Sequence, residues 1–305
     1  MNHNPFRPGF AFGKGDDKNP ILITGSHRSG TTWVGRMIAQ SPRVTYIPEP
    51  FHADAPPRPW SLGFNQWFKY IPPENGNGSR DRVEGLLSPR ILQLLTQVVS
   101  DTNSLKDVAR LLRDNARLCI HQVTEATPLI KDPIALLSAE WLEEVWGSTN
   151  VVMIRHPAAF AGSLKVKDWT FPFEDLLHQP EAMSDLFEPY RQEIQHFAET
   201  DQHIVKQAAL LWTLLYSVVR KYQERHPEWI FLRHEDVVRN PVSVFGRLYH
   251  NFGFEFTDEI RKHVEEKTDP SVLRNWKDRL TKEEITEVRE CTEPVTSDFY
   301  ADDEW

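Results

Sequence analysis

An apolar run, Ile21-Leu22-Ile23-Thr24, breaks into Gly25-Ser26-His27-Arg28-Ser29-Gly30 and then into Thr31 to Gln40, where Trp33, Met37 and Ile38 keep helical spacing. A strand that turns through glycines into a helix is the opening step of a parallel sheet, because a parallel partner strand requires a crossover. The same geometry aims backbone N–H groups and the positive helix end at one point, which makes an anion cradle. The plainer alternative is a strand-to-helix connection whose glycines are incidental.

The rest of the chain repeats that rhythm. Val44 to Ile47, Leu129-Ile130, Val151-Val152-Met153-Ile154 and Trp229 to Leu232 read as further strands, with amphipathic helical stretches around them. This predicts an α/β fold: a P-loop-type parallel sheet covered by helices on both faces. With 305 residues, 40% of them hydrophobic, the chain can fill one large core. We therefore expect a single domain over 1–305, with 1–18 and 297–305 as tails. Phe51 to Gly85 breaks the pattern with five prolines, several glycines and the aromatics Trp60, Phe64, Trp67, Phe68 and Tyr70. It reads as a long loop, either an acceptor-side lid whose aromatics stack on a sugar or a surface elaboration that they pin to the core.

Charge and cysteine content narrow the function. The chain has 35 basic against 44 acidic residues, a formal net charge of −9, which argues against a nucleic-acid partner or an anionic membrane surface. Any polyanion must meet a local basic pocket. Cys119 and Cys291 have neither metal-site nor redox spacing. The first residues lack an apolar signal segment, and Ala208 to Val219, flanked by Lys206, Arg220 and Lys221, is shorter than the ~20 residues a membrane span needs. The expected location is cytoplasmic, and that run is expected to be a buried helix.

The interval from Gly25 to Gly30 matches a nucleotide-triphosphate phosphate loop, but Thr31 stands where such a loop requires lysine. That disfavours a kinase and leaves Arg28 as the local cation. Arg28-Ser29-Gly30-Thr31-Thr32-Trp33 resembles the 5′-phosphosulfate loop of the sulfotransferases that use 3′-phosphoadenosine 5′-phosphosulfate, with a motif style similar to bacterial and carbohydrate-type members. The resemblance implies that Ser29, Gly30, Thr31 and Thr32 bind the 5′-phosphate, that Arg28 meets the sulfuryl group, and that Trp33 stacks on adenine. The alternative is that an indole on the inner face of this helix is simply core.

A second anchor follows the strand Val151 to Ile154. Arg155 and, eight positions on, Ser163 keep the spacing of that family's 3′-phosphate motif, and a forked guanidinium suits a terminal phosphate. The segment Leu129-Ile130-Lys131-Asp132-Pro133 resembles a family strand whose lysine approaches the phosphosulfate bridge, which makes Lys131 a second catalytic cation. Leu232 to Pro241 looks like a late signature with a structural role, and Asn275 to Leu280 like a closing segment, with Arg274 and Lys277 as candidate contacts.

Transfer to a hydroxyl needs a base. The small-molecule members carry a histidine two places after the lysine, where this chain has Pro133. Attention moves to Glu49, in Pro48-Glu49-Pro50, because many carbohydrate sulfotransferases have a similar Glu-Pro after the second strand. His27, His52 and His156 are rivals by position, and Asp132 is expected to cap the following helix. The resulting expectation is a sulfotransferase that needs no metal, uses Arg28, Lys131 and Glu49 in catalysis, and acts on a small-molecule or glycan acceptor. A non-catalytic adenosine-bisphosphate-binding protein and an atypical P-loop kinase are the alternatives.

Overall fold

The computed structural model describes residues 19–53, 61–73 and 126–305. Five parallel strands form its centre: β1 (Ile21–Gly25), β2 (Val44–Pro48), β3 (Thr127–Lys131), β4 (Thr149–Ile154) and β5 (Ile230–Arg233), in the order β2-β3-β1-β4-β5. Each coincides with a run read from the sequence. The strand period of two divides their side chains between two cores. Leu22, Ile130, Val152 and Phe231 enter one; Ile23, Leu129, Val151, Met153 and Leu232 enter the other.

Helices cover both faces. The second core is closed by α1 (Thr31–Ile38), and the first by α2 (Ala139–Trp146), α3 (Pro157–Lys167) and α4 (Ile204–Arg225). Further along, α5 (His234–Arg239), α6 (Pro241–Asn251) and α7 (Asp258–Glu266) return to the second core, while α8 (Asn275–Arg279) and α9 (Lys282–Thr296) pack on the first. Every residue from Ala208 to Val219 is buried inside α4. Among the described residues no helix is long and apolar enough to cross a membrane.

One expectation changes. Residues 297–305 are not a loose tail: Phe299 and Tyr300 are buried, and the Arg233 guanidinium donates to the Phe299 carbonyl at 2.9 Å and pairs with Glu304. A strand-end cation meeting a carboxylate and a carbonyl holds this segment down. In the loop after β2, several of the described residues belong to the core. Phe51, Leu62, Phe68, Tyr70 and Ile71 are buried, with Phe64 and Trp67 packed against them, so these aromatics pin the segment. Residues 1–18, 54–60 and 74–85, Trp60 included, lie outside the described residues.

Gly25 ends β1 with φ +144°, and a Cβ there would lie 2.5 Å from the carbonyl oxygen of Met153, its registered partner on β4. A methyl at that point combines backbone strain with a clash against a neighbouring strand. We predict that Gly25→Ala destabilises the fold by about 3 kcal/mol, read as a lowered urea midpoint at unchanged m-value. An unchanged midpoint would show that the turn tolerates a side chain.

A candidate active site at the carboxyl ends of the strands

Parallel pairing puts the carboxyl ends of all five strands along one edge, where open α/β sheets bind their ligands. A cleft of about 1400 Å³ opens there. Its lining includes Arg28, Gly30, Thr31, Thr32, Trp33, Glu49, Lys131, Arg155 and Ser163. Of the residues assigned to catalysis and donor binding, only Ser29 is missing from the lining. Its hydroxyl donates instead to the Ser26 carbonyl at 2.5 Å, so this side chain builds the turn.

The loop between β1 and α1 is shaped for close approach. Gly30 has φ +96°, and a Cβ on it would sit 2.4 Å from His234 Cδ2. No side chain caps α1, so its first N–H groups keep their capacity for an anion. Arg28 adopts φ +63° and turns its guanidinium toward α3, with Nε donating to Ser163 Oγ at 2.8 Å. Desolvation, then the nearby Arg155 and Arg279, pull Arg28 below the usual arginine range. Trp33 is half-buried against His234 and Phe245 at 5.8 and 5.5 Å between ring centroids, and its Nε1 has no partner. It both joins the core and lines the cleft.

Arg155 is fixed from several sides. Its N–H donates to the Tyr216 hydroxyl at 3.0 Å, and that hydroxyl lies 2.9 Å from Ser26 Oγ in the β1 turn. The Arg155 carbonyl accepts from Trp212 Nε1 at 2.8 Å. Its guanidinium contacts His234 Nδ1 and lies 3.6 Å from Glu235. Glu235 also accepts from the His156 N–H at 3.2 Å and from the Tyr300 hydroxyl at 2.7 Å. Burial alone would raise this carboxyl, but Arg155 and the surrounding donors outweigh it and hold the group at about 2. Desolvation, then Arg155, lowers His234 to about 3, leaving a neutral ring whose Nδ1 can accept from the guanidinium.

Strand register explains the meeting of Lys131 and Glu49. Pro48 on β2 is the registered partner of Lys131 on β3, so the next residue lands at the lysine's end of the sheet. The Glu49 N–H donates to the Lys131 carbonyl at 2.8 Å, φ at Glu49 is +53°, and the two side chains form an ion pair. Asp132 lies beneath, accepting from Ile134 N–H at 3.1 Å as the expected cap and from Phe51 N–H at 2.6 Å. Burial pushes its carboxyl up to about 7, against the pull of those donors and Lys131.

The three histidines close to these motifs sit elsewhere in the network. His27 is boxed by Trp67, Phe68, Phe160 and Trp169, its Nδ1 has no partner, and desolvation followed by the Arg28 charge lowers it to about 3. His52 packs on Trp67 outside the cleft lining. His156 caps α3 by accepting from Ala158 N–H, and stacks on Trp276 at 5.3 Å. Late in the chain, Asn275 and Arg279 line the cleft in place of Arg274 and Lys277. Lys277 instead covers the Trp276 ring and donates to the Trp305 carbonyl at 3.2 Å.

Sequence reading missed His234, Arg279, Arg36 and Lys267 in the lining. A signal existed for the first: His234-Glu235-Asp236 is a polar run directly after an apolar strand, where this architecture places function.

The buried groups make stability acid-sensitive. Asp132, raised to about 7, offsets one buried imidazole, and His27, His234 and His156 have folded values of about 3, 3 and 4, all lowered chiefly by desolvation. The unfolded chain takes up these protons near 6.5 while the folded one does not, so their full stability is present above that pH and falls as pH drops toward 4. Glu235 loses its contribution in the same direction but lower, as pH falls from the ordinary carboxylate range toward 2. We predict that stability falls by up to roughly 3 kcal/mol per pH unit between pH 6 and pH 4, and that His156→Phe flattens this slope by close to one proton. Urea melts at stepped pH measure it; a flat profile down to pH 5 contradicts the assignment of these rings as neutral.

Among solved structures, the chain resembles a sulfotransferase domain from the curacin biosynthetic pathway, at 15% identity and TM-score 0.46 over 90% of this chain and 96% of that one. It also resembles the sulfotransferase domain of the Synechococcus PCC 7002 olefin synthase, at 16% and 0.45 over 95% and 99%. A sulfotransferase from Mycobacterium avium aligns at 14% and 0.42, over 93% and 77%. These likenesses are too distant to say anything of function. No curated protein sequence matches the chain. The family model described as the sulfotransferase family, however, matches residues 20–258, from the start of β1 through the strand-end cleft to α7, and on that match the chain belongs to the sulfotransferase family.

Proposed function

We propose that the protein transfers a sulfuryl group from 3′-phosphoadenosine 5′-phosphosulfate to a hydroxyl of a carbohydrate acceptor. The observation that carries this reading is the convergence, in one cleft, of the uncapped α1 turn with Arg28 at one position, Arg155 at another, and the Lys131–Glu49 pair beside them. A donor with a phosphosulfate at one end and a phosphate at the other needs two such anion sites. The uncapped N–H groups suit the 5′-phosphate, Arg155 suits the 3′-phosphate, and Ser163 joins the two sites through its bond to Arg28. Trp33 offers the base a ring at the cleft wall.

In this reading Glu49 takes the proton from the acceptor hydroxyl, the new oxygen–sulfur bond forms, and the bond from sulfur to the 5′-phosphate oxygen breaks with its electrons staying on the phosphate. Arg28 and Lys131 stabilise the charge on the transferred group and the leaving phosphate. The ion pair keeps Glu49 oriented at the strand end while backbone strain at φ +53° fixes its direction.

The test is transfer of radiolabelled sulfuryl group without added metal over a panel of sugars. Glu49→Gln is expected to lower kcat by about 10²–10⁴-fold with nucleotide binding retained. Arg155→Ala is expected to weaken binding of adenosine 3′,5′-bisphosphate by about tenfold or more, and Arg28→Ala to abolish turnover with a smaller loss of binding. Tight nucleotide binding with no transfer to any acceptor would favour a binding protein, and Mg²⁺-dependent use of ATP would favour a kinase. Unchanged nucleotide affinity in Arg155→Ala removes the second anchor.

A further inference from the structure

Among the described residues the exposed large apolar side chains are Val166, at 59%, and Trp169, at 45%, and both stand where α3 ends. The helix stops in a left-handed turn at Asp168, φ +52°, with Asp168 N–H donating to Lys165 O and Trp169 N–H to Leu164 O, each at 3.2 Å. This is the usual double bond of a helix end, built on a residue that disfavours the conformation. In such an end the side chain at this position normally folds onto the helix it terminates. Here the indole reaches the phosphate-loop arginine instead: Arg28 Cζ lies 5.7 Å from its centroid and the His27 ring 6.4 Å.

We infer that Trp169 is the platform for the acceptor's sugar ring, presenting its face to the C–H side of a pyranose while a hydroxyl of that ring points past Arg28. This rests on the reading of Arg28 as a sulfuryl-side cation. Of the described aromatics after β2, Phe51, Phe68 and Tyr70 are buried and Phe64 and Trp67 pack against them, which leaves Trp169 as the more exposed ring beside Arg28. A pyranose fits better than an arene because the platform is open and bordered by charges, Arg28 on one side and Lys167 and Asp168 on the other, all exposed. An arene gains most when both faces are enclosed, whereas a sugar offers an apolar face to one indole and hydroxyls to water and charge.

The experiment compares methyl β-glucopyranoside, methyl β-galactopyranoside, 4-nitrophenol and 1-butanol as acceptors for wild type, Trp169→Ala and Trp169→Phe. Trp169→Ala should raise KM for the better pyranoside by on the order of tenfold with kcat little changed, and Trp169→Phe should restore most of it. KM for the donor and affinity for adenosine 3′,5′-bisphosphate should not move. A pyranoside KM equal to wild type in Trp169→Ala overturns the platform while leaving the transferase reading intact, as does a wild type active only on 4-nitrophenol or 1-butanol. A wild type that binds the bisphosphate but transfers to none of the four overturns both.

Discussion

The parallel pairing of β1 with β3 on one side and β4 on the other is the constraint from which the site follows. Ile23 is registered to Lys131, and Gly25 to Met153. With those pairings fixed, the glycine turn, the lysine and Arg155 leave the sheet at one edge and within reach of one another. A slip of one residue on any strand would turn its apolar set out of its core and aim the strand-end residue at the opposite face. Packing on both faces therefore holds the chemistry in place: the residues that bury the sheet and those that line the cleft are read off the same register.

Hydrogen bonds then lock what register only approximates. The Tyr216 hydroxyl, carried by α4, lies within bonding distance of Ser26 in the β1 turn and accepts from the backbone of Arg155 at the end of β4. One buried phenol thus ties the loop between β1 and α1 to the second arginine. Behind Arg155, Glu235 collects a guanidinium, a backbone N–H and the Tyr300 hydroxyl. Satisfied this fully, a buried carboxylate steadies the arginine; left unpaired, it would be a large penalty. The docking of residues 297–305 belongs to the same network, because Tyr300 supplies one of those partners.

Much of the framework was legible in the sequence because its signals are local. Apolar runs of strand length, a glycine turn and helical spacing identify all five strands and the first helix without reference to anything distant. Most of the candidate cleft residues were legible for the same reason, since each directly follows a strand. What escaped notice depends on contacts between distant segments. That His234 presses on Gly30, that Arg279 rather than Arg274 faces the cleft, and that residues 297–305 are docked are consequences of how helices pack, on which sequence spacing is silent. The aromatics after β2 show the same limit from the other side: composition identifies a ring, while burial decides whether it meets a ligand or the core.

Charge distribution closes the argument. The chain carries a formal net charge of −9, yet among the described lining residues Arg28, Arg36, Lys131, Arg155, Lys267 and Arg279 face the single carboxylate of Glu49. Such a concentration of like charge raises the free energy of the empty cleft, and at Arg28 it adds, through Arg155 and Arg279, to the larger effect of burial in lowering proton affinity. In the proposed reading a bound polyanion relieves that repulsion, so its affinity comes from charges positioned during folding rather than reorganised on contact. The net negative charge of the chain opposes the approach of anions elsewhere. On that reading a cationic cleft in an acidic protein selects by shape as well as by sign.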